Sequence, residues 1–184
     1  ETIITLFKEM GVVGMGGACF PTHVKYSPPE DKKIDVLIVN GAECEPYITA
    51  DHRLMLEYTR DIISGIKVAM KALNVEKAYI GIEDNKQDAI EAMKKELGSE
   101  TKIVVASLKT KYPQGDEKRI INAITGRKVP LGGLPMDVGC VVSNVATIKA
   151  INDAVLKGKP LYERVVTVTG AVNNPKNLLV KIGT

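Results

Sequence analysis

The stretch Ile34-Asp-Val-Leu-Ile-Val-Asn-Gly-Ala-Glu-Cys-Glu-Pro46 runs from a compact β-branched segment straight into a polar loop. Ile34 to Val39 reads as a buried strand, the habit of strands covered on both faces of a parallel sheet. Asn-Gly commonly marks a hairpin turn, yet no second strand follows at once. Two readings of Asn40 to Pro46 stay open. It is a plain connector after a strand, or a ligand loop at the carboxyl end of a parallel strand, where open α/β sheets bind.

Downstream the pattern alternates. Asp51 reads as the cap of one long helix to Leu73, with an apolar stripe of Met55, Tyr58, Ile62, Ile66, Met70 and Leu73. That stripe is core material. Ala78 to Ile82 is a second strand, and Asn85 a cap for a helix through Ile90, Met93 and Leu97 that Gly98 ends. Ile103 to Leu108 is a third strand. Asp116 is a good N-cap for the helix bearing Ile120, Ile121 and Ile124. Val129 to Pro135, rich in glycine and proline, reads as a mobile flap or a connector. Val138 to Val142 is a fourth strand, and Asn144 caps a helix along Val145, Ile148, Ile151 and Val155. Strands alternating with helices predict an α/β fold, a Rossmann-like three-layer domain with a mostly parallel sheet, over residues 1–160. Beyond Pro160 the texture changes. Arg164 to Val172 and Leu178 to Ile182 read as a hairpin opening a second, β-rich unit over 161–184.

Upstream, Ile3, Leu6, Phe7 and Met10 have helical spacing, with Gly11 as a stop. Gly11-Val-Val-Gly-Met-Gly-Gly17 places four glycines in seven residues before a helix-compatible Phe20 to Tyr26. Such a turn lets a ligand approach the backbone and aims free N–H groups at one point, which suits a phosphate. Lys25 adds a positive charge. The loop lacks the G-K-[ST] ending of a nucleotide P-loop and the spacing of G-x-G-x-x-G, and no clear strand precedes it.

The composition excludes several classes. At 184 residues with 45% apolar and 26% charged residues, the chain has a core and a soluble surface. A net charge of +3 is too small to argue for nucleic acid. No apolar run approaches the roughly 20 residues that span a bilayer, so no direct membrane insertion is expected. Cys19, Cys44 and Cys140 are far apart, so local spacing encodes neither iron–sulfur cluster nor zinc site. An odd count without a framework points to a reducing compartment. There is no G-x-S-x-G, and His23 and His52 have no evident nucleophilic partner. Opening on Glu1 and closing on Thr184 inside a pattern, the chain reads as a piece of a longer protein. What remains is a set of loops carrying N–H donors, carboxamides and acids. They fit a phosphorylated cofactor without specifying which.

Four loops in this order carry a resemblance: Gly14-Met-Gly-Gly-Ala-Cys-Phe-Pro-Thr-His-Val-Lys25, Asn40-Gly-Ala-Glu-Cys-Glu-Pro-Tyr-Ile-Thr-Ala-Asp-His-Arg-Leu-Met55, Tyr112-Pro-Gln-Gly-Asp-Glu-Lys118 and Ser143-Asn-Val-Ala-Thr147. Together they resemble the C subunit of the Rnf electron-transport complex, whose wider superfamily includes the flavin-binding 51-kDa subunit of respiratory complex I. The resemblance implies an FMN and NADH site, with no side chain acting as acid or base. Gly14, Gly16, Gly17 and Lys25 would line the flavin phosphate and ribityl chain. Asn40, Glu43 and Cys44 would edge the flavin. Tyr112, Gly115, Asp116 and Glu117 would lie along flavin and nicotinamide, and Asn144 and Thr147 would hold the phosphate. Phe20, Lys25, Glu45 and Glu117 would meet NADH. Complex I relatives carry Arg where this chain has Met15 and Asp where it has Ala42, which implies fewer charged contacts to the flavin.

The resemblance further implies that the tail begins a soluble-ligand-binding β-grasp domain. It places the 4Fe-4S clusters in a part of the protein downstream of Thr184. The expected partners are the other subunits of a membrane electron-transport complex and, indirectly, ferredoxin. The expected location is peripheral, on the cytoplasmic side of the bacterial inner membrane. The alternatives are the cobalamin-reductase subunit of propanediol metabolism, which shares this domain, and a non-catalytic docking module.

Overall fold

The computed structural model describes residues 2–184. Strands β1 (Val36–Gly41), β2 (Lys77–Glu83), β3 (Ile103–Leu108) and β4 (Cys140–Asn144) form one sheet in the order β3-β2-β1-β4, with every pairing parallel. Alternation along β1 explains the burial expected of its sequence. Leu37 and Val39 enter one core cluster, while Val36 and Ile38 enter the other on the opposite face. Leu37, Ile38 and Ile80 are 0% exposed. Each contributes about 2 kcal/mol of hydrophobic stabilisation.

The helices are α1 (Ile3–Glu9), α2 (Thr22–Lys25), α3 (Ala50–Glu57), α4 (Thr59–Leu73), α5 (Gln87–Leu97), α6 (Glu117–Thr125) and α7 (Val145–Lys157). The larger core lies beneath α1, α3, α4, α5 and α7; the smaller is closed by Ile120 and Ile121 of α6 and by Val138 of a 3-10 turn at Pro135–Val138. Topology accounts for this division. The connections β1→β2→β3 step one way across the sheet, and β3→β4 returns past β2 and β1. Right-handed crossovers travelling in opposite directions must place their helices on opposite faces.

Several boundaries differ from expectation. The helix predicted from Asp51 to Leu73 is two helices broken at Tyr58, whose φ of −124° leaves the helical region. Thr59 Oγ1 donates to the Met55 carbonyl at 2.5 Å, occupying a helix-end acceptor at the break. Asp51 is not the cap of α3. It sits in the first turn, and the capping acceptor is Glu43, whose two carboxylate oxygens receive the N–H groups of Asp51 at 2.9 Å and His52 at 3.1 Å. Lys86, not Asn85, occupies the N-cap of α5. The fourth strand starts two residues late because the 3-10 turn takes up Val138. Asp116 and Asn144 cap α6 and α7 as expected, accepting from Arg119 N at 3.1 Å and Ala146 N at 2.8 Å.

The tail forms an antiparallel pair, β5 (Glu163–Val168), which stops short of the expected Val172, and β6 (Lys176–Lys181), which starts two residues before the expected Leu178. It is tied to the α/β body. Arg164 donates to the Met15 carbonyl at 3.2 Å, and Thr167 Oγ1 accepts from Thr49 N at 3.1 Å. Among the described residues, no helix is long and apolar enough to cross a membrane.

Candidate functional site: a crevice where the sheet changes direction

The strand order reverses between β1 and β4, and a crevice lies at the carboxyl ends of these two neighbours. Asn40, next to last in β1, and Asn144, which closes β4, are register partners. A cavity of about 480 Å³ lies here. The glycine loop supplies one wall through Gly14, Gly16, Gly17 and Phe20, and α2 adds Thr22 and Lys25. Gly115, Glu117 and Asn40 border it from the sheet end, and Ser143, Asn144 and Thr147 from β4 and α7. Leu134 and Met136, flanking the start of the 3-10 turn, complete it with an apolar side.

Each wall is held by a contact across the chain. Thr147, 3% exposed, accepts from Met15 N at 2.9 Å and so fastens the glycine loop to α7. Its hydroxyl proton remains available to a ligand. A side chain at Gly16 would put its Cβ 3.3 Å from the Cβ of Asn144, so loop and helix end touch closely. Tyr26, behind Lys25, is 1% exposed and shares a 2.9 Å hydrogen bond with Ser143 Oγ. Burial pushes its phenol well above the ordinary tyrosine range, against the lowering effect of that bond. Its ring meets Phe7 edge-on at 5.4 Å, tying α1 and α2 to the outer edge of the sheet. Lys25 Nζ reaches Glu117 Oε1 at 2.5 Å across the mouth.

Asn40 joins two of the four loops. Its Nδ2 donates to the Gly115 carbonyl at 2.8 Å and its Oδ1 accepts from Ala42 N at 3.1 Å. A Cβ at Gly115 would lie 2.4 Å from the Ala42 carbonyl oxygen, so only glycine lets these loops meet this closely. Cys44 takes part behind the wall, its Sγ accepting from Gly115 N at 3.4 Å. Glu43 is committed to α3, Asp116 to α6, and Glu45 and Tyr112 are exposed away from the cavity lining. Gly14, Gly16, Gly17, Phe20, Lys25, Asn40, Gly115, Glu117, Asn144 and Thr147 therefore come together, while Glu43, Cys44, Glu45, Tyr112 and Asp116 form surrounding structure.

Sequence reasoning missed several contributors, among them the lining residues Thr22, Leu134 and Met136. Ser143 anchors α2, and its signal was present because it lies inside the quoted Ser-Asn-Val-Ala-Thr motif. Asp51 accepts a 2.6 Å hydrogen bond from Asn144 Nδ2; it too lies inside a quoted motif, Asn40 to Met55, but read only as a helix cap. The buried pair Glu83 and Lys86, 3.2 Å apart, braces the loops from behind. Lys86 donates to the Glu43 carbonyl at 3.3 Å, and Glu83 accepts from Lys111 N at 3.2 Å. Cys140 also borders the cavity. Burial raises its thiol above the usual range, despite the nearby Arg127 guanidinium, and so disfavours the reactive thiolate.

The donor set fits a phosphorylated, planar ligand. A 13-residue helix, α7, presents its N-terminus, a hydroxyl and a carboxamide to one end of the cavity. Glycine backbone lines one side and apolar side chains the other. Fold and site together define a doubly wound α/β domain with a crevice at its switch point, a class of protein suited to a phosphate-bearing cofactor. A sequence profile of the Nuo51 FMN-binding domain matches residues 7–153, and the chain belongs to that family.

Among its relatives, the chain is 60% identical over its whole length to the C subunit of the proton-translocating ferredoxin:NAD(+) oxidoreductase complex of Clostridium ljungdahlii, and spans 40% of that protein. It is 55% identical to the Na(+)-translocating counterpart of Acetobacterium woodii, spanning 42% of it. The expected likeness to the Rnf-type C subunit is thus borne out. An NAD+-reducing [NiFe]-hydrogenase in the air-oxidised state superposes with a TM-score of 0.83 at 24% identity, covering 99% of this chain and 36% of that one. At that identity the likeness carries the fold alone.

Proposed function

We propose that the crevice holds FMN and presents it to NAD(H), and that the chain is the electron-entry part of the C subunit in an ion-translocating ferredoxin:NAD oxidoreductase complex. The observation that carries this reading is the cavity at the β1–β4 switch point, with the α7 N-terminus at one end and Lys25 and Glu117 at its mouth. When bound, FMN supplies the hydride chemistry. Asn144, Thr147 and the first-turn N–H groups of α7 other than that of Ala146 would hold the phosphate, and Gly14, Gly16 and Gly17 would leave room for the ribityl chain beside the backbone. Asn40 keeps its second Nδ2 proton for the ring edge while bonding Gly115 with the first. Phe20, 49% exposed beside the mouth, offers a stacking face to a nicotinamide nucleotide. Lys25 and Glu117, paired across the mouth, reorient toward that dinucleotide. Leu134 and Met136 exclude water from the apolar side.

In the whole protein, 4Fe-4S clusters outside the chain would exchange electrons with this site, and further subunits and ferredoxin would lie beyond them. The β5–β6 pair begins a β-grasp domain, and the assembly sits on the cytoplasmic side of the membrane. The test is titration of the apo-protein with FMN, followed by NADH under anaerobic conditions. Quenched flavin fluorescence at micromolar concentrations, followed by bleaching of the flavin band, supports the reading. Absence of binding overturns it.

A further inference from the structure

Behind the phosphate end of the crevice lies a carboxyl group that the proposed function does not use. Asp51, in the first turn of α3, reaches across to Asn144 and accepts from its Nδ2 at 2.6 Å. The carboxamide is thereby held from both ends, because Asn144 Oδ1 accepts from Ala146 N at 2.8 Å to cap α7. Which way Asn144 faces, and so how the end of α7 is completed, depends on Asp51.

The surroundings of Asp51 come from several elements. Glu43, in the loop after β1, sits behind it and receives its backbone N–H. Lys86, ahead of α5, bonds the Glu43 carbonyl, and Arg164 arrives from β5. His52, its neighbour on α3, is turned to Asp88 of α5 at 2.8 Å. Two carboxyl groups thus stand near a helix end whose partial positive charge suits an anion. An ionised Asp51 there opposes an incoming phosphate, and a protonated one does not. Its second oxygen can still accept from Asn144 when the first carries a proton.

We propose that Asp51 is a positioning residue for the α7 end of the crevice, and that its protonation couples flavin-phosphate affinity to pH. The proposal rests on the phosphate lying at Asn144 and Thr147. Burial, reinforced by the Glu43 charge, pushes the Asp51 carboxyl up to about 7 against the lowering effects of Asn144, Arg164 and Lys86. The group therefore changes charge in the neutral range. Phosphate binding raises the proton affinity of Asp51 further, and by linkage a proton bound at Asp51 strengthens phosphate binding.

The experiment compares FMN dissociation constants, read by fluorescence quenching, for the wild type and Asp51→Asn from pH 6 to 8.5. The phosphate ionises near pH 6 in both proteins, so its effect cancels in the ratio. The wild-type value divided by the variant value should rise about fivefold to tenfold with pH, as expected if the bound phosphate raises Asp51 by about one unit. A ratio offset equally at every pH means that Asp51 has only a structural role, and overturns the coupling. Riboflavin, which lacks the phosphate, should show no such rise; a rise of equal size overturns the assignment to phosphate. If the variant fails to fold, calorimetry of FMN binding to the wild type in two buffers replaces it. Net proton uptake at about pH 7.5 supports the coupling, and none or net release overturns it. No FMN binding by the wild type at any pH overturns the proposed function along with this inference, whereas binding without the pH-dependent ratio overturns this inference alone.

Discussion

The two halves of the parallel sheet end in the same kind of polar loop, yet one half is sealed and the other open. At the carboxyl ends of β2 and β3, the connections are stitched to each other. Asp84 Oδ1 accepts from Thr110 N at 3.0 Å, Glu83 accepts from Lys111 N, and Lys86 lies against Glu83 in the interior. At the ends of β1 and β4, the register partners Asn40 and Asn144 turn their carboxamides away from each other, one toward Gly115 and the other toward Asp51. The difference follows from topology. β1, β2 and β3 follow one another across the sheet, so the loops after the neighbours β2 and β3 lie side by side. The strand order reverses between β1 and β4, and the crevice lies at that reversal. The same residue classes seal one side and border an open crevice on the other.

The contrast is broken most severely on the sealed side. Lys86→Met leaves Glu83, 1% exposed, without its buried partner and should cost about 3–5 kcal/mol in chemical denaturation. The double replacement Lys86→Met with Glu83→Leu should recover much of this. A cost near zero for the single change would mean that the ion pair does not seal that end.

On the open side, Gly115→Ala forces a Cβ against the Ala42 carbonyl and separates the loops joined by Asn40. FMN affinity should fall at least about tenfold, with a stability loss of about 1–3 kcal/mol. Wild-type affinity in this variant would show that the close approach is unimportant to the site. Lys25→Met should act at the mouth alone. We expect NADH-driven flavin bleaching to slow about tenfold while stability changes by less than about 1 kcal/mol, because the pair with Glu117 is partly exposed.

The smallest effect sharpens the comparison through pH. A carboxyl whose folded-state pKa lies above its unfolded value favours the fold while protonated. The contribution of Asp51 is therefore complete below the unfolded value near 3.9 and is lost as pH rises through about 7. The melting temperature of the wild type minus that of Asp51→Asn should decline by a few degrees across that window, because the other carboxyls contribute alike to both proteins. A parallel decline in both proteins would place the titrating group elsewhere.

Much of this was readable beforehand. The strands at Val36, Lys77 and Ile103 were visible in their apolar runs, and the caps Asp116 and Asn144 in local chemistry that acts within three residues. The glycine loop announced a close backbone approach. Glu43 illustrates the limit. It stands eight residues before Asp51 and caps α3 because the chain doubles back between them, a distance that no local pattern spans. The break at Tyr58 was hidden because an apolar stripe continues through it, and periodicity does not register one residue leaving the helical region.

The amino-acid sequence by itself determined the α/β class, the segments that pair and cap, and a family likeness strong enough to imply a flavin site. Those depend on periodicity, propensity and motif, which are local properties of the chain. Tertiary structure alone decided that β4 lies beside β1 and not beside β3, that Asn40 bonds Gly115, and that Asp51 stands behind Asn144. Each joins residues far apart in the chain, and strand order, fixed by the competition of whole connections for the two faces of the sheet, is what brings them together.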